Sequence, residues 1–487
     1  MKKMLINAVH PEEIRVAVVE DGILREIFIE STMKEQIKGN IYRGKISRIE
    51  KGLNAVFVEI GRDKNGFLPM HDMNLMFVPD SDPGKSLSSQ IKNGMDIPVQ
   101  VVRDEKSAKG ALLTMNISLA GRYMVLLPGQ DSSGISRKIE DDEQRNRLKE
   151  IVKQLNPPKD TGVIVRTAGM DRSKIELQRD LNYVLKLWKK IEDDYASATS
   201  PALIYSEDDV VIRSIRDYFS IDMKEVLIDD EATYKKAVSF MKSVMPRYKN
   251  ILKLYRDSRP LFTKYELEKQ LTGVYSRKVK LKSGGHIVID PTEALVSIDV
   301  NSGQASNGKD MEETALNANL EAAQEIARQL ILRDLGGLIV IDFIDMRSKE
   351  SIKKVEKTLK ESLKNDRAHS RLGRISQFGI LEMSRERLSP PILEKSHVVC
   401  PSCCGHGIVR SDDSSALMAL REIHLFLDRN RQQKIRVTLP RDVALSLLNK
   451  YRSHLVKLEQ DYSAEIMVMD SNAVKPDEVT IEIPGAD

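Results

Sequence analysis

The sequence predicts an α/β protein of several domains, and three observations carry that expectation. Short apolar runs of strand length, bounded by Gly or Pro, alternate with longer segments whose apolar residues recur at helical spacing. The first hundred residues hold closely spaced alternating runs with glycine turns, as small β-barrels do. The length, 487 residues, accommodates roughly three domains of the usual size. With 41% hydrophobic and 30% charged residues, the chain is expected to be globular and soluble. Net charge is only +4, but between Lys242 and Lys282 twelve Lys or Arg stand against Asp257, Glu266 and Glu268. Such a stretch suits a solvated helix face or a track for a polyanion backbone. No apolar run is long enough to span a bilayer, and Asp342 interrupts the best candidate. Met1 to Glu12 has lysines without an apolar core of signal-peptide length. The three cysteines, all between 400 and 404, give no disulfide framework, so a cytoplasmic protein is expected.

Residues 1 to about 34 alternate like paired strands, at Arg15 to Val19 and Leu24 to Ile29. Asn40 to Ile49, Asn54 to Gly61, Gly66 to Pro69 and Ile97 to Val102 then read as the strands of a small OB-type barrel. The pattern G-x-[IV]-Y-x-G-x-[IV], with N-G-F-L-P downstream, resembles the S1 RNA-binding domain. Phe57 and Phe67 are the candidates to stack on bases and Lys109 to meet phosphate. Two loops follow from Gly, Ser, Pro and Asp content, at Pro79 to Ser89 and Pro128 to Ser136. Next come a helix at Glu143 to Gln154, a strand at Gly162 to Thr167, and a helix from Asp180 to Asp194. Arg166 and Thr167 end that strand; a guanidinium fork beside a hydroxyl suits a terminal phosphate. Beyond about 411, a helix (Ala416 to Arg429), strands (Ile435 to Leu439, Glu465 to Met469, Val479 to Ile483) and intervening helices form a last unit with no evident chemistry. Interaction or oligomerisation is its expected role.

Two aspartates stand out. Asp299 lies in Ala294 to Asn301 and Asp342 in Leu338 to Asp345, both of which read as strands buried on both faces. A buried carboxylate must be paired, hydrogen-bonded or bound to a cation. The amphipathic segment Met311 to Asp334, stopped at Gly336 and Gly337, completes a strand–helix–strand unit that brings both carboxylates to one sheet edge. With Asn301 they make a set of hard oxygen ligands suited to Mg²⁺. Either aspartate alone is better explained by a helix cap or an arginine partner; the pair is better explained by a metal. Asp345, later in the same run, is expected to face away from Asp342.

Gly303 to Asp310 nearly matches the phosphate-binding loop G-x-x-x-x-G-K-[ST], which makes an ATPase the rival reading. Asp310 stands where a hydroxyl should reach Mg²⁺, and its charge would repel a triphosphate, so the match is expected to be fortuitous. Cys400-Pro401-Ser402-Cys403-Cys404-Gly405-His406-Gly407 resembles half of a zinc knuckle. Completing four ligands requires Cys404 and His406 or a second chain; sharing Cys400 and Cys403 between two protomers predicts a dimer. A redox dithiol competes, but no thioredoxin-like context is expected around it.

Together, M-K-K-M-L-I-N, the barrel pattern, V-R-T-A-G, S-G-G-H-I-V-I-D-P-T-E-A-L-V-S-I-D-V-N-S-G, R-D-L-G-G-L-I-V-I-D-F-I-D-M, F-G-I-L-E-M-S-R and C-P-x-C-x-G-x-G resemble the ribonuclease E/G family over essentially the whole chain. The end soon after the small domain resembles the G branch more than the E branch. The resemblance implies a degenerate RNase H-like fold (1–34 and 212–275) interrupted by an S1 domain (35–119) and a 5′-sensor (120–211). A DNase I-like catalytic domain (276–399), a zinc link (400–412) and a small α/β oligomerisation domain (413–487) follow. It implies a Mg²⁺-dependent endoribonuclease that cuts single-stranded RNA in rRNA and mRNA processing and decay, leaving a 5′-phosphate and a 3′-hydroxyl. Asp299 and Asp342 match the metal ligands, and Asn301 the residue that orients the site. Gly121, Val125, Arg166 and Thr167 match a pocket that senses a 5′-monophosphate. His369 stands where the family commonly has a further arginine, with Arg371 or Arg374 as substitutes. Cys400 and Cys403 match a zinc link between subunits, implying a homo-oligomer; Cys404 and His406 fill variable positions. With no dedicated general base in view, a metal-activated water is the expected nucleophile. A non-catalytic RNA-binding scaffold is the second alternative.

Overall fold

The computed structural model describes the chain except residues 32–36, 79–89, 106–108, 140, 208–209, 304–310, 365, 431–433, 472–477 and 485–487. The expected loop at 79–89 and most of the phosphate-loop-like segment therefore lie outside the described residues. Two compact units are present, Met1–Lys395 and Ser396–Asp487.

In the larger unit, the alternating N-terminal runs form the antiparallel strands Lys2–Asn7, Glu13–Glu20 and Ile23–Ser31. Lys2–Asn7 also pairs in parallel with Met223–Ile228, and Leu252–Leu254 completes a five-stranded sheet, so segments distant in sequence share it. Both faces are covered. Met4 and Ile6 pack in one core with Val211, Ile215 and Met241, whereas Leu5 and Ala17 pack in another with Phe262, Leu267 and Leu332.

Between these segments, Ile41–Glu50, Ala55–Glu59, Gly66–Pro69, Leu112–Thr114 and Asp96–Arg103 are hydrogen-bonded in that order. Asp96–Arg103 then returns to pair with Ile41–Glu50, which closes a barrel as the strand spacing predicts. Its interior is filled by Ile46, Val56, Val58, Leu68, Ile97, Val99 and Leu113. Closure removes the sheet edges and leaves the alternate residues of each strand facing outward. A four-stranded sheet, Gly134–Ile135, Thr161–Val165, Met124–Pro128 and Leu119–Ala120, follows with the helices Asp142–Leu155 and Lys174–Ser197. The second helix begins earlier than its apolar period predicts, because Ser173 and Glu176 form a reciprocal capping box.

The fourth sheet orders Lys278–Lys280, His286–Pro291, Leu295–Asn301, Gly337–Asp342, Ile380–Arg385 and Ser370–Ile375. Only Leu295–Asn301 and Gly337–Asp342 pair in parallel, joined through the helix Met311–Arg333, as expected for a strand–helix–strand unit. One face packs under Ala322, Ile326, Leu330, Val355 and Leu359, which bury Ile298, Ile339 and Ile341. The other face is open: burial alternates along Leu295–Asn301, with Val296, Ile298 and Val300 buried and Asp299 exposed. These strands are therefore half-buried rather than buried on both faces. They read as apolar on both sides because the open side also carries apolar residues, Leu295, Leu338 and Val340, which stay partly or wholly exposed.

In the smaller unit, Glu465–Asp470, Lys434–Leu439 and Thr480–Glu482 form a three-stranded sheet. The helices Asp412–Asn430, Arg441–Asn449 and Arg452–Tyr462 pack with it around Ile423, Leu427, Val437 and Leu447. Among the described residues, no helix is long and apolar enough to cross a membrane.

Candidate functional site

Asp299 and Asp342 stand directly opposite each other in the parallel pair, at the carboxyl end of both strands. That end is where loops diverge and leave room for a ligand in open α/β sheets. Asn301, two residues on and hence on the same face, donates from its amide Nδ2 to Asp299 Oδ2 at 2.7 Å. Both aspartates are exposed, which corrects the expectation that they are buried charges in need of a partner. Their proximity is instead a matter of register: a one-residue slip would send one carboxylate to the packed face.

Asp345 does not face away. A Cβ placed on Gly379 would lie 3.9 Å from Asp342 Oδ1 and 3.3 Å from Asp345 Oδ1, so both carboxylates flank this glycine. The strand ends at Asp342, and beyond it the alternation of sides that supported the earlier expectation no longer applies. The segment after Asp342 is held from the helix Met311–Arg333. Asn319, fully buried, donates to the Ile344 carbonyl at 2.7 Å and accepts from the Ile344 N–H at 3.0 Å. Glu312 accepts from the backbone N–H groups of Arg347 and Ser348. Gly379 closes the arrangement, its carbonyl accepting from the Phe343 N–H at 3.2 Å. Asn319 was findable, since an amide on the apolar face of a helix requires a partner.

On the barrel, Phe57 and Phe67 are cross-strand partners with ring centroids 5.8 Å apart, edge to face. Both are half-buried. The Arg48 guanidinium lies 5.0 Å over the Phe57 ring, adding a cation that the sequence reading did not single out. Lys109 is exposed, two residues before Ala111, whose carbonyl accepts from the Phe67 N–H at 2.7 Å. Two rings and the Arg48 cation thus lie on three neighbouring strands, with Lys109 on the segment that precedes the strand paired with Gly66–Pro69.

Arg166 is held in the four-stranded sheet's neighbourhood by Gly121 and Asp217. Its Nη1 donates to the Gly121 carbonyl and its Nη2 to Asp217 Oδ1, each at 2.7 Å. Thr167 is exposed beside it, and Val125 sits half-buried in the strand paired with Ile164. Burial pushes the Asp217 carboxyl up, but the guanidiniums of Arg216 and Arg166 outweigh burial and hold it well below the usual carboxylate range. Asp180, fully buried, accepts from the backbone N–H groups of Arg122, Tyr123 and Met124 at 2.9, 2.7 and 2.9 Å. Burial nevertheless leaves its pKa raised. Burial also lowers the Arg122 guanidinium to about 10. His369 is exposed, its N–H bonded to Glu386, and Arg371 and Arg374 are exposed on the edge strand Ser370–Ile375. A third arginine, Arg367, donates to the Asp217 carbonyl and lies 3.5 Å over the Tyr218 ring.

In the smaller unit, Cys400 and Cys403 begin a tight turn in which Cys404 N–H donates to the Cys400 carbonyl and His406 N–H to that of Cys403, both at 2.8 Å. Cys400 is exposed and Cys403 half-buried. The backbone N–H groups of Cys403 and Ser402 draw the Cys400 thiol below its ordinary pKa. Among the described residues, no group of three or more His, Cys, Asp or Glu is placed to hold a metal. Cys404 and His406 are thus not gathered with the first two cysteines into such a group.

Comparison with known proteins matches residues 35–116 to the S1 RNA binding domain, 118–388 to the ribonuclease E/G family, and 399–483 to the RNase E/G thioredoxin-like domain. The last match overturns the expectation that no thioredoxin-like context adjoins the cysteines. The chain is 44% identical over 479 residues to ribonuclease E of Haemophilus influenzae, covering 98% of this chain and 51% of that protein. It is 46% identical over 464 residues to ribonuclease E of Escherichia coli, covering 94% and 44%. To ribonuclease G of Escherichia coli it is 35% identical over 432 residues, covering 86% and 87%. The chain thus spans about half the length of these ribonuclease E relatives. Identity is higher to them and length agreement is better with ribonuclease G, so identity does not favour the expected G branch.

Proposed function

The chain belongs to the ribonuclease E/G family, and from that premise we propose that it is an endoribonuclease cleaving single-stranded RNA with Mg²⁺, leaving a 5′-phosphate and a 3′-hydroxyl. The observation that carries the reading is the register of Asp299 with Asp342 at the open carboxyl end of two parallel strands. Two exposed carboxylates and an amide are hard oxygen donors, and Mg²⁺ commonly takes only one or two carboxylates while keeping several waters. The residues present therefore fit the ion. Bound there, Mg²⁺ would supply Lewis acidity toward a phosphoryl oxygen and toward water. The protein's own part is to fix the two carboxylates. Asn301 orients Asp299 through its amide hydrogen bond, and the Asn319 and Gly379 contacts hold the segment that follows Asp342.

The S1 barrel supplies the second element. Phe57 and Phe67 offer ring faces to bases, while Arg48 and Lys109 offer charge to the backbone, the combination that single-strand binders use. The Arg166 and Thr167 pair is assigned to a 5′-terminal monophosphate, with Gly121 and Val125 shaping the pocket and Arg367, rather than His369, as its nearby cation. Cys400 and Cys403 are assigned to a zinc ion shared with a second chain, which supplies the two thiolates that one chain lacks. The domain boundaries proposed are RNase H-like at 1–34 and 212–275, S1 at 35–119, 5′-sensor at 120–211, DNase I-like at 276–399, zinc link at 400–412 and an oligomerisation domain at 413–487. Cytoplasmic rRNA and mRNA processing and decay is the corresponding role.

Asp299→Asn and Asp342→Asn should each abolish cleavage of a labelled single-stranded RNA while leaving RNA retention intact. Retention without cleavage by the unaltered protein supplied with Mg²⁺ would establish the scaffold reading instead. Comparing one RNA with a 5′-monophosphate or a 5′-hydroxyl tests the sensor; equal rates would remove it.

A further inference from the structure

Phe378 is 72% exposed at the tip of the turn joining Ser370–Ile375 to Ile380–Arg385. A single exposed aromatic is unremarkable by itself. Here the backbone beneath it is closely held. Ser376 N–H donates to the Ile380 carbonyl at 2.9 Å, Gly379 N–H to the Ser376 carbonyl at 3.1 Å, and Phe378 N–H to Ser376 Oγ at 3.2 Å. The ring is thus presented from a fixed turn.

Its position is the second observation. Phe378 immediately precedes Gly379, the residue flanked by the Asp342 and Asp345 carboxylates, and Ile380 pairs directly with Asp342. The exposed ring therefore emerges within two residues of the carboxylate edge. Its sequence neighbours Ser376 and Gln377 are exposed and polar, and the apolar residues of the adjoining cavity, Ile344, Met346 and Ile375, are only partly exposed, so within its turn the ring is the one large apolar group presented to solvent. One isolated ring face beside a phosphodiester site is what a nucleobase requires, because every base has a π-face and stacking needs no hydrogen-bond readout.

We propose that Phe378 stacks on a base adjoining the scissile phosphodiester and thereby sets which linkage is presented to Asp299 and Asp342. The inference rests on the endoribonuclease reading and deepens it by naming a specificity-determining residue outside the S1 barrel.

The test uses the full chain with Mg²⁺ and a set of end-labelled single-stranded RNAs, each lacking one base on either side of the cut. The unaltered protein should lose on the order of tenfold in kcat/KM for one abasic position. Phe378→Ala should show a comparable rise in KM on intact RNA, with little change in kcat, and should be indifferent to the same missing base. Phe378→Trp should restore both the low KM and the sensitivity, which a packing role would not allow. If Phe378→Ala matches the unaltered protein in KM and keeps its abasic profile, stacking is refuted while the nuclease reading stands. If the substitution changes only the oligomeric state on sizing, the ring is a protein contact and the proposal is overturned. If the unaltered protein cleaves none of the RNAs, the nuclease reading fails first and this inference falls with it.

Discussion

Gly379→Ala separates the cost of backbone strain from the cost of disturbing the carboxylates. At φ +77° an alanine is strained by roughly 1–2 kcal/mol relative to glycine. The added Cβ would also stand 3.1 Å from the Phe343 carbonyl oxygen and 3.3 Å from Asp345 Oδ1, tight enough that a neighbour must give way by a few tenths of an ångström. The Phe343 N–H is tied to the Gly379 carbonyl, so the shift falls on the segment that carries Asp342 and Asp345. Misplacing a reacting group by about 1 Å can cost about 10²-fold in rate, so this smaller shift should cost on the order of tenfold in kcat. Gly22→Ala is the control: φ is +79° there, with nothing within 4 Å of an added Cβ. Urea unfolding should show a loss of about 1–2 kcal/mol for Gly22→Ala and at least as much for Gly379→Ala. Steady-state cleavage of labelled RNA should show a loss in kcat for Gly379→Ala alone. Equal kcat in the two variants would refute the claim that Gly379 keeps the carboxylates in place.

Asp217→Asn removes the negative charge, and one of the two acceptor oxygens, shared by Arg166 and Arg216 and should destabilise the chain by about 3 kcal/mol at pH 7, measured by urea unfolding. Because the folded carboxyl is held below its unfolded pKa, its stabilising effect is complete above the unfolded value, about 3.9, and fades as pH falls below it. The difference between the two proteins should accordingly shrink below about pH 4; a difference that grows there would contradict the ion-pair account. Cys400→Ser, or removal of zinc by a chelator, should shift the protein to a smaller species on sizing, and an unchanged oligomer would rule out zinc shared between chains.

The strand–helix–strand unit and the barrel were legible because both depend on local periodicity. Alternation from Asn40 onward placed strands at Ile41–Glu50 and Ala55–Glu59, and apolar residues from Leu316 to Ile331 marked the helix Met311–Arg333. That Asp299 and Asp342 share one sheet edge was also foreseeable, since a crossover helix puts its two strands in parallel; their residue-for-residue register was not. What the pattern could not supply was burial: an apolar strand reads alike whether its second face is packed or open, and here it is open. Asp345 was misjudged because period-two reasoning was carried past the end of the strand. Arg367 and Asp217 were missed for a different reason. Asp217 meets Arg166, and Arg367 meets Asp217, from positions remote in sequence, and no spacing rule links them. The thioredoxin-like match around the cysteines likewise had no local signal, because the Cys400–Gly407 turn precedes the first helix of that unit.

The central claim, that Asp299 and Asp342 hold a divalent cation, is tested most directly by binding rather than by turnover. Mn²⁺, a hard cation that accepts the same oxygen donors as Mg²⁺, can be titrated into the purified protein and followed by electron paramagnetic resonance. The expected result is a bound Mn²⁺ that Mg²⁺ displaces and that both Asp299→Asn and Asp342→Asn lose, with folding unchanged by circular dichroism. Mn²⁺ binding of undiminished strength in either variant would contradict the claim.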